Sequence, residues 1–264
     1  MAKLLLFIPM YNCEAQIARV LDQVQRFGEC FLETIVVNNR STDLGEEAVM
    51  RRLAKRDILC TVSLLRNREN YGLGGSHKVA FSYAIEHGFD YVVVLHGDDQ
   101  GHLEDLLPLL QDGTFADYDC CLGARFMRGS RLEGYSRFRT FGNVVYNLLF
   151  SLVTHRRIYD LGSGLNLYNV QSLKSRYYER FCDNLQFNYC MILALAFLRQ
   201  KARFFPIRWS EDDQVSNVKL TRQAINVLKL LGSYARSPKK FMARELRETP
   251  REAYLADVIF TTAQ

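Results

Sequence analysis

The sequence predicts an α/β fold, a mostly parallel sheet flanked by helices with a second, less regular half fused to it. Three observations carry this. Short continuous apolar runs recur along the first hundred residues, and between them lie segments whose apolar residues repeat at three- and four-residue steps. The connections are long enough for the right-handed crossovers that parallel strands require. Finally, 264 residues with 48% hydrophobic and 12% aromatic side chains can bury a large core, which excludes a disordered or fibrous chain.

Residues 3–8 are an apolar run ending at Pro9, the pattern of a strand buried on both faces. Ile17, Val20, Leu21 and Val24 then mark one face of a helix that Gly28 is placed to stop. Residues 34–37 form a second strand, followed by the polar turn of Asn38, Asn39, Arg40, Ser41, Thr42 and Asp43. Asp43 with Glu46 three residues on reads as a helix start. Residues 58–65 read as a third strand, 76–87 as a helix stopped by Gly88, and 91–95 as a fourth strand. After Cys121 the chain turns arginine-rich and less regular, and its tail is charged, weakly periodic and expected to be partly disordered. The expected division is 1–121, 122–236 and 237–264.

Thirty-four Lys and Arg against 29 Asp and Glu give a net charge of +5, too sparse for a dedicated nucleic-acid binder and suited to anionic small molecules or anionic lipid. The seven cysteines include no zinc-finger spacing and read as reduced, mostly buried thiols. No secretory pattern opens the chain, and its longest apolar stretches, 144–153 and 191–198, are about half of the roughly 20 residues needed to cross a bilayer. A cytoplasmic protein that does not itself span a membrane is expected.

Ligands of parallel sheets collect at the carboxyl ends of the strands. After the fourth strand stands His96-Gly97-Asp98-Asp99-Gln100, which sets three oxygen or nitrogen donors near one point, suited to a divalent ion bound to phosphate. A solvated acidic turn is the plain alternative. The glycine-rich loop of residues 70–76, ahead of Lys78, fits neither the P-loop nor the dinucleotide spacing, so kinase and dehydrogenase readings lose their support. Its glycines would let backbone amides approach a ligand at a helix N-terminus, and an ordinary tight turn is the alternative.

The first loop, Pro9 to Glu14, the second loop, Val37 to Asp43, the glycine loop and the acidic strand end together resemble the nucleotide-sugar half of family 2 glycosyltransferases, with the Rossmann-like GT-A fold. Gly123 to Phe126, Arg137 to Asn143 and Asp160 to Gly164 are similar to the polyprenyl-phosphate hexosyltransferase branch, exemplified by dolichol-phosphate mannosyltransferase, and Phe205 to Trp209 resemble its closing strand. The resemblance implies a nucleotide-sugar pocket of Pro9, Tyr11, Asn12, Glu14, Asn38, Asn39, Ser41, Asp43, Gly72, Gly74, Lys78 and Gly97, with Lys219 reaching a donor phosphate. It implies a Mn²⁺ or Mg²⁺ ion on Asp98, with Gln100 and His96 beside it. Two departures stand out: Asn38 and Asn39 replace the family's usual acids, and His96 replaces the first acid of its DxD-like motif. Amides can still bind a base or ribose, and a neutral imidazole can still ligate Mn²⁺.

Between residues 122 and 157 the charged side chains are seven arginines and one acid, Glu133. Guanidinium groups fork onto phosphate, and Arg125, Arg137 and Arg139 fall on the family pattern. Residues 143–154 carry Val144, Val145, Leu148, Leu149, Leu152 and Val153 at helical spacing between arginines. A core-facing helix is the simpler reading, and a peripheral helix on the cytoplasmic face of a membrane is the other.

The implied function is metal-dependent transfer of a sugar from a nucleotide diphosphate sugar to a polyprenyl phosphate, with inversion. An ionised phosphate needs no general base. A sugar or protein hydroxyl acceptor would need one from Asp160 or from Glu211, Asp212 and Asp213. A non-catalytic nucleotide-sugar binder and a nucleotidyltransferase are the rivals; the latter would place a longer glycine- and arginine-rich loop after the first strand.

Overall fold

The computed structural model describes residues 2–211 and 220–262, with the side chains of 220–223 outside that description. β1 (Leu4–Met10), β2 (Glu33–Asn38), β3 (Thr61–Asn67) and β4 (Tyr91–Leu95) lie parallel in the order β3-β2-β1-β4, joined by α1 (Glu14–Phe27), α2 (Gly45–Leu53) and α3 (Gly72–Glu86). β1 is buried along its whole length because successive side chains enter opposite cores. Leu5 and Phe7 join the core under α3, and Leu4, Leu6 and Ile8 the core under α1 and α2.

The second half adds α4 (Leu107–Gln111), β5 (Cys120–Ala124), β6 (Arg131–Glu133), α5 (Arg137–Thr154), β7 (Leu165–Asn169), α6 (Val170–Leu173), α7 (Phe187–Phe197), β8 (Ala202–Pro206), β9 (Arg208–Ser210), α8 (Leu220–Arg236), α9 (Pro238–Ala243) and β10 (Ala256–Thr261). It extends the same sheet, in the order β10-β3-β2-β1-β4-β7-β5-β8. β7 is inserted antiparallel between β4 and β5, and β10 runs antiparallel along β3.

Four expectations are corrected. The tail is ordered through Thr262: α9 packs Phe241 into the core, and β10 pairs with β3. The expected closing strand breaks at Ile207, so that β8 stays in the main sheet while β9 pairs with β6. α3 begins at Gly72, inside the glycine loop. α2 begins at Gly45 with no side-chain cap; Asp43 accepts from the Gly45 N–H at 3.1 Å, with its other oxygen turned to the first loop.

All seven cysteines are free thiols, six of them buried. Among the described residues no helix is long and apolar enough to cross a membrane.

Candidate active site

The carboxyl ends of β1, β2 and β4 are drawn into one rim by hydrogen bonds between their loops. The Asn12 N–H donates to Ser41 Oγ (3.1 Å), and Asn12 Oδ1 accepts from the Thr42 N–H (2.8 Å). The Glu14 N–H donates to Asp43 Oδ2 (2.8 Å), and Glu14 Oε2 accepts from the Leu44 N–H (3.2 Å). Asn12 sits in the left-handed region (φ 50°), which asparagine tolerates better than most residues. Tyr11 stays half exposed at the rim. Gly97 donates to the Pro9 carbonyl (3.1 Å), and a Cβ on Gly97 would lie 2.8 Å from that oxygen, so glycine lets the acidic loop close against β1.

The two asparagines that depart from the family pattern act as two-sided connectors. Asn38 donates to Glu46 Oε1 (2.6 Å) and accepts from the Ser41 N–H (2.8 Å); Glu46 is held ionised chiefly by its hydrogen bond from Arg66. Asn39 donates to Asn70 Oδ1 (2.8 Å) and accepts from Asn67 Nδ2 (2.9 Å) and the Tyr71 N–H (2.8 Å). A carboxylate accepts only, so it could not make the donating half of either set.

The glycine loop does other work than expected. A Cβ on Gly72 (φ 69°) would lie 2.5 Å from the Asp183 carbonyl, and one on Gly74 2.4 Å from that of Cys182. The Gly74 N–H already donates to Asp183 O (2.7 Å). The close approach is thus to the chain's own backbone. Lys78 is also corrected: it is buried, with its ammonium held by Asp183 Oδ1 and Phe181 O, both at 2.6 Å. Lys219, Asp212 and Asp213 lie outside the described residues.

Asp98 is the acid that suits a cation. Its carboxylate is half buried and accepts only a long 3.4 Å bond from the Gln100 N–H, and among the described residues it makes no ion pair. Burial pushes it up to about 6, because an uncompensated anion is poorly solvated there; a cation would relieve that cost. Its neighbour Asp99, in contrast, is held by Arg19 (2.6 Å) and Gln23 (3.0 Å) of α1. Gln23 also accepts from the Leu103 N–H (2.8 Å) and so braces the whole loop. The sequence reading missed it, although a glutamine beside the Val20–Val24 stripe was a visible signal.

Among the described residues no group of three or more His, Cys, Asp or Glu is arranged to hold a metal. Asp98 with the Gln100 amide fits the sparser kind of site in which a divalent ion takes few protein ligands and the substrate's phosphates supply more. His96 does not extend this set. Its ring packs on Gly164 and edge-on to His77, its Nε2 is sealed from solvent without a partner among the described residues, and burial pushes its pKa down to about 4.

β9 links the acidic loop to the arginine-rich half. The Ser210 N–H donates to Gln100 O (3.1 Å), and Glu211 pairs with Arg139 at 2.5 Å, whose guanidinium lies over the Tyr135 ring at 4.5 Å. Arg137, the first residue of α5, is exposed. Arg125 forks onto Asp160 (2.8 and 2.9 Å), which also accepts from the Arg125 and Gly162 N–H groups, so the two side chains expected to be catalytic engage each other.

The chain matches the model of glycosyl transferase family 2 over residues 6–176. It is 22% identical over 179 residues to a UDP-N-acetylglucosamine–dolichyl-phosphate N-acetylglucosaminyltransferase of Methanococcus voltae, covering 64% of this chain and 70% of that one. It is 23% identical over 177 residues to an undecaprenyl-phosphate mannosyltransferase of Micrococcus luteus, covering 66% and 69%. Among solved structures, glucosyl-3-phosphoglycerate synthase from Mycobacterium tuberculosis, in complex with UDP, superimposes with a TM-score of 0.64 at 16% identity, over 89% of this chain and 80% of that one. Mannosyl-3-phosphoglycerate synthase from Rubrobacter xylanophilus gives 0.63 at 14% identity, over 90% and 75%. The fold is the expected GT-A type. With the family model running from β1 to β7 and taking in the acidic loop, the chain belongs to glycosyl transferase family 2 and is a glycosyltransferase.

Proposed function

We propose that the enzyme transfers a sugar from a nucleotide diphosphate donor to the phosphate of a polyprenyl phosphate, inverting the anomeric centre. The observation that carries this reading is Asp98, a half-buried carboxylate without an ion-pair partner among the described residues, on a rim built from three strand ends. Asp98 and Gln100 would hold a divalent cation, which supplies charge to the leaving diphosphate. The rim beside Tyr11 accepts the nucleoside, with Asn12, Glu14, Asn38, Ser41 and Asp43 shaping it through bonds among their loops and Asn39 tying it to Asn67, Asn70 and Tyr71. Arg137 and Arg139 receive the acceptor phosphate.

An acceptor phosphate oxygen attacks the anomeric carbon as the bond to the donor's β-phosphate oxygen breaks, and the nucleoside diphosphate leaves as an anion. The attacking oxygen is already ionised, so no base is needed. The engagement of Asp160 by Arg125 supports this against a hydroxyl acceptor that would draw its base from Asp160. The two curated relatives are both named for polyprenyl-phosphate acceptors.

The test compares nucleoside diphosphate release with a polyprenyl phosphate and with the corresponding polyprenol. Release with the phosphate alone is expected. Equal release with the alcohol would require a base and would move the assignment to a hydroxyl acceptor.

A further inference from the structure

α5 is apolar on two sides. Its inward side packs Phe150, with Tyr146, Leu149 and Val153, on the core and also carries bonded polar groups: Asn147 donates to Tyr159 O (2.6 Å), and Ser151 Oγ accepts from the Ile158 N–H (2.9 Å). Its outward side carries Phe138, Phe141, Val144, Val145, Leu148 and Leu152, exposed by between 38 and 77%. At about 100° per residue these six fall within roughly a third of the helix circumference and run from its first turn to its last. α8 packs against α5 and buries Val227, Leu230 and Leu231 in the same core that takes Phe150 of α5. The outer faces of the two helices therefore lie on one side of the sheet, and there α8 exposes Ile225 and Leu228.

The two segments that carry this face hold charges of one sign. Residues 134–159 contain no acid, with exposed Arg137 and Arg157 near the two ends of α5. Residues 224–244 also contain no acid, but include Lys229, Arg236, Lys239, Lys240 and Arg244. A second copy of the chain is a poor occupant. Antiparallel pairing along α5 would bring Arg137 toward Arg157, parallel pairing would set Arg137 against Arg137, and the helix has no acid to compensate either. An apolar stripe on two helical segments that carry cations and no acid of their own matches the interface of an anionic bilayer, where the apolar side chains enter the acyl boundary and the cations meet headgroup phosphates. We propose that the outward face of α5 and α8 is an interfacial docking surface for anionic lipid. The proposal goes beyond the transfer reaction and does not depend on the acceptor: the face would dock whether the sugar goes to a lipid phosphate or elsewhere.

The test is sedimentation of the full chain with vesicles of phosphatidylcholine and with vesicles in which about a third of the lipid is phosphatidylglycerol, at low and high salt. The expected result is capture by the anionic vesicles at low salt and release at high salt. Leu148→Glu combined with Leu152→Glu should weaken capture at least tenfold, and Lys239→Glu with Lys240→Glu should lower it and flatten the salt dependence. These positions are exposed, so the variants should keep the wild-type circular dichroism. Leu59→Glu, at an exposed leucine before β3, is the control and should bind as the wild type does. Failure to bind anionic vesicles at low salt would overturn the proposal. So would equal capture by neutral vesicles, or a dimer that is abolished by Leu148→Glu while vesicles are ignored. Vesicle binding with no transfer to a lipid phosphate would leave this surface standing and overturn the acceptor reading alone.

Discussion

Arg125 lies along Asp160 in a two-pronged ion pair, 2.8 and 2.9 Å, with Asp160 almost wholly buried and the Trp209 ring 4.9 Å from the guanidinium carbon. The pair joins the end of β5 to the loop before β7, and Trp209 ties both to the strand that reaches the acidic loop. Two residues that the family pattern marks as functional thus tie the end of β5 to the loop before β7.

Asp160→Ala should therefore behave as a stability variant. Removing one partner leaves a buried guanidinium unpaired, a loss of about 3 to 5 kcal/mol by denaturant unfolding. Undiminished stability with lost turnover would return Asp160 to the catalytic residues.

Asn39→Asp, which restores the family's usual acid, should destabilise the enzyme by about 1 to 3 kcal/mol, because the bond donated to Asn70 is lost and the buried acid gains no new donor. Thermal unfolding checks this; a more stable variant would mean that the asparagine connector is dispensable.

His96→Asp also restores the family residue, and a sequence comparison alone would expect it to favour Mg²⁺. In the structure it sets a carboxylate at a half-buried position against Gly164 and His77, where it loses hydration without gaining a donor among the described residues, so the expected effect is a loss of stability with no gain in Mg²⁺ affinity. Calorimetric Mg²⁺ titration of the folded variant separates the outcomes, and tighter binding would place position 96 at the metal.

Gly72→Ala should lower the melting temperature, since its φ of 69° and the Asp183 carbonyl 2.5 Å from a would-be Cβ both oppose a side chain. Unchanged melting would show that the segment at Asp183 can yield.

The parallel half of the fold was legible because its strands are buried on both faces and read as unbroken apolar runs, as Leu4 to Ile8 do. β7 and β10 were not. Leu165–Asn169 alternates with asparagines, and Ala256–Thr261 is a half-exposed edge; both become strands only through antiparallel partners 76 and 189 residues away, as in the pairs Tyr168–Val92 and Ala256–Asn67. Helical spacing in α5 was readable, but spacing cannot say which side faces the core. In the structure the stripe divides: Leu149 and Val153 pack on the core beside Phe150, while Val144, Val145, Leu148 and Leu152 face outward. At the site, motif positions were legible while side-chain roles were not. Asn12, Asp43, Gly72 and Lys78 sit where the pattern places them but bond largely to their own chain.

The central claim rests on Asp98, and transfer of labelled sugar into the organic phase with a polyprenyl phosphate acceptor tests it most directly, comparing the wild type with Asp98→Asn, each with Mn²⁺ and with chelator. The account predicts one nucleoside diphosphate released per sugar transferred by the wild type, no transfer with chelator, and a loss of about a thousandfold in Asp98→Asn with melting temperature preserved. Transfer by folded Asp98→Asn at the wild-type rate, or by the wild type in full chelator, would contradict it.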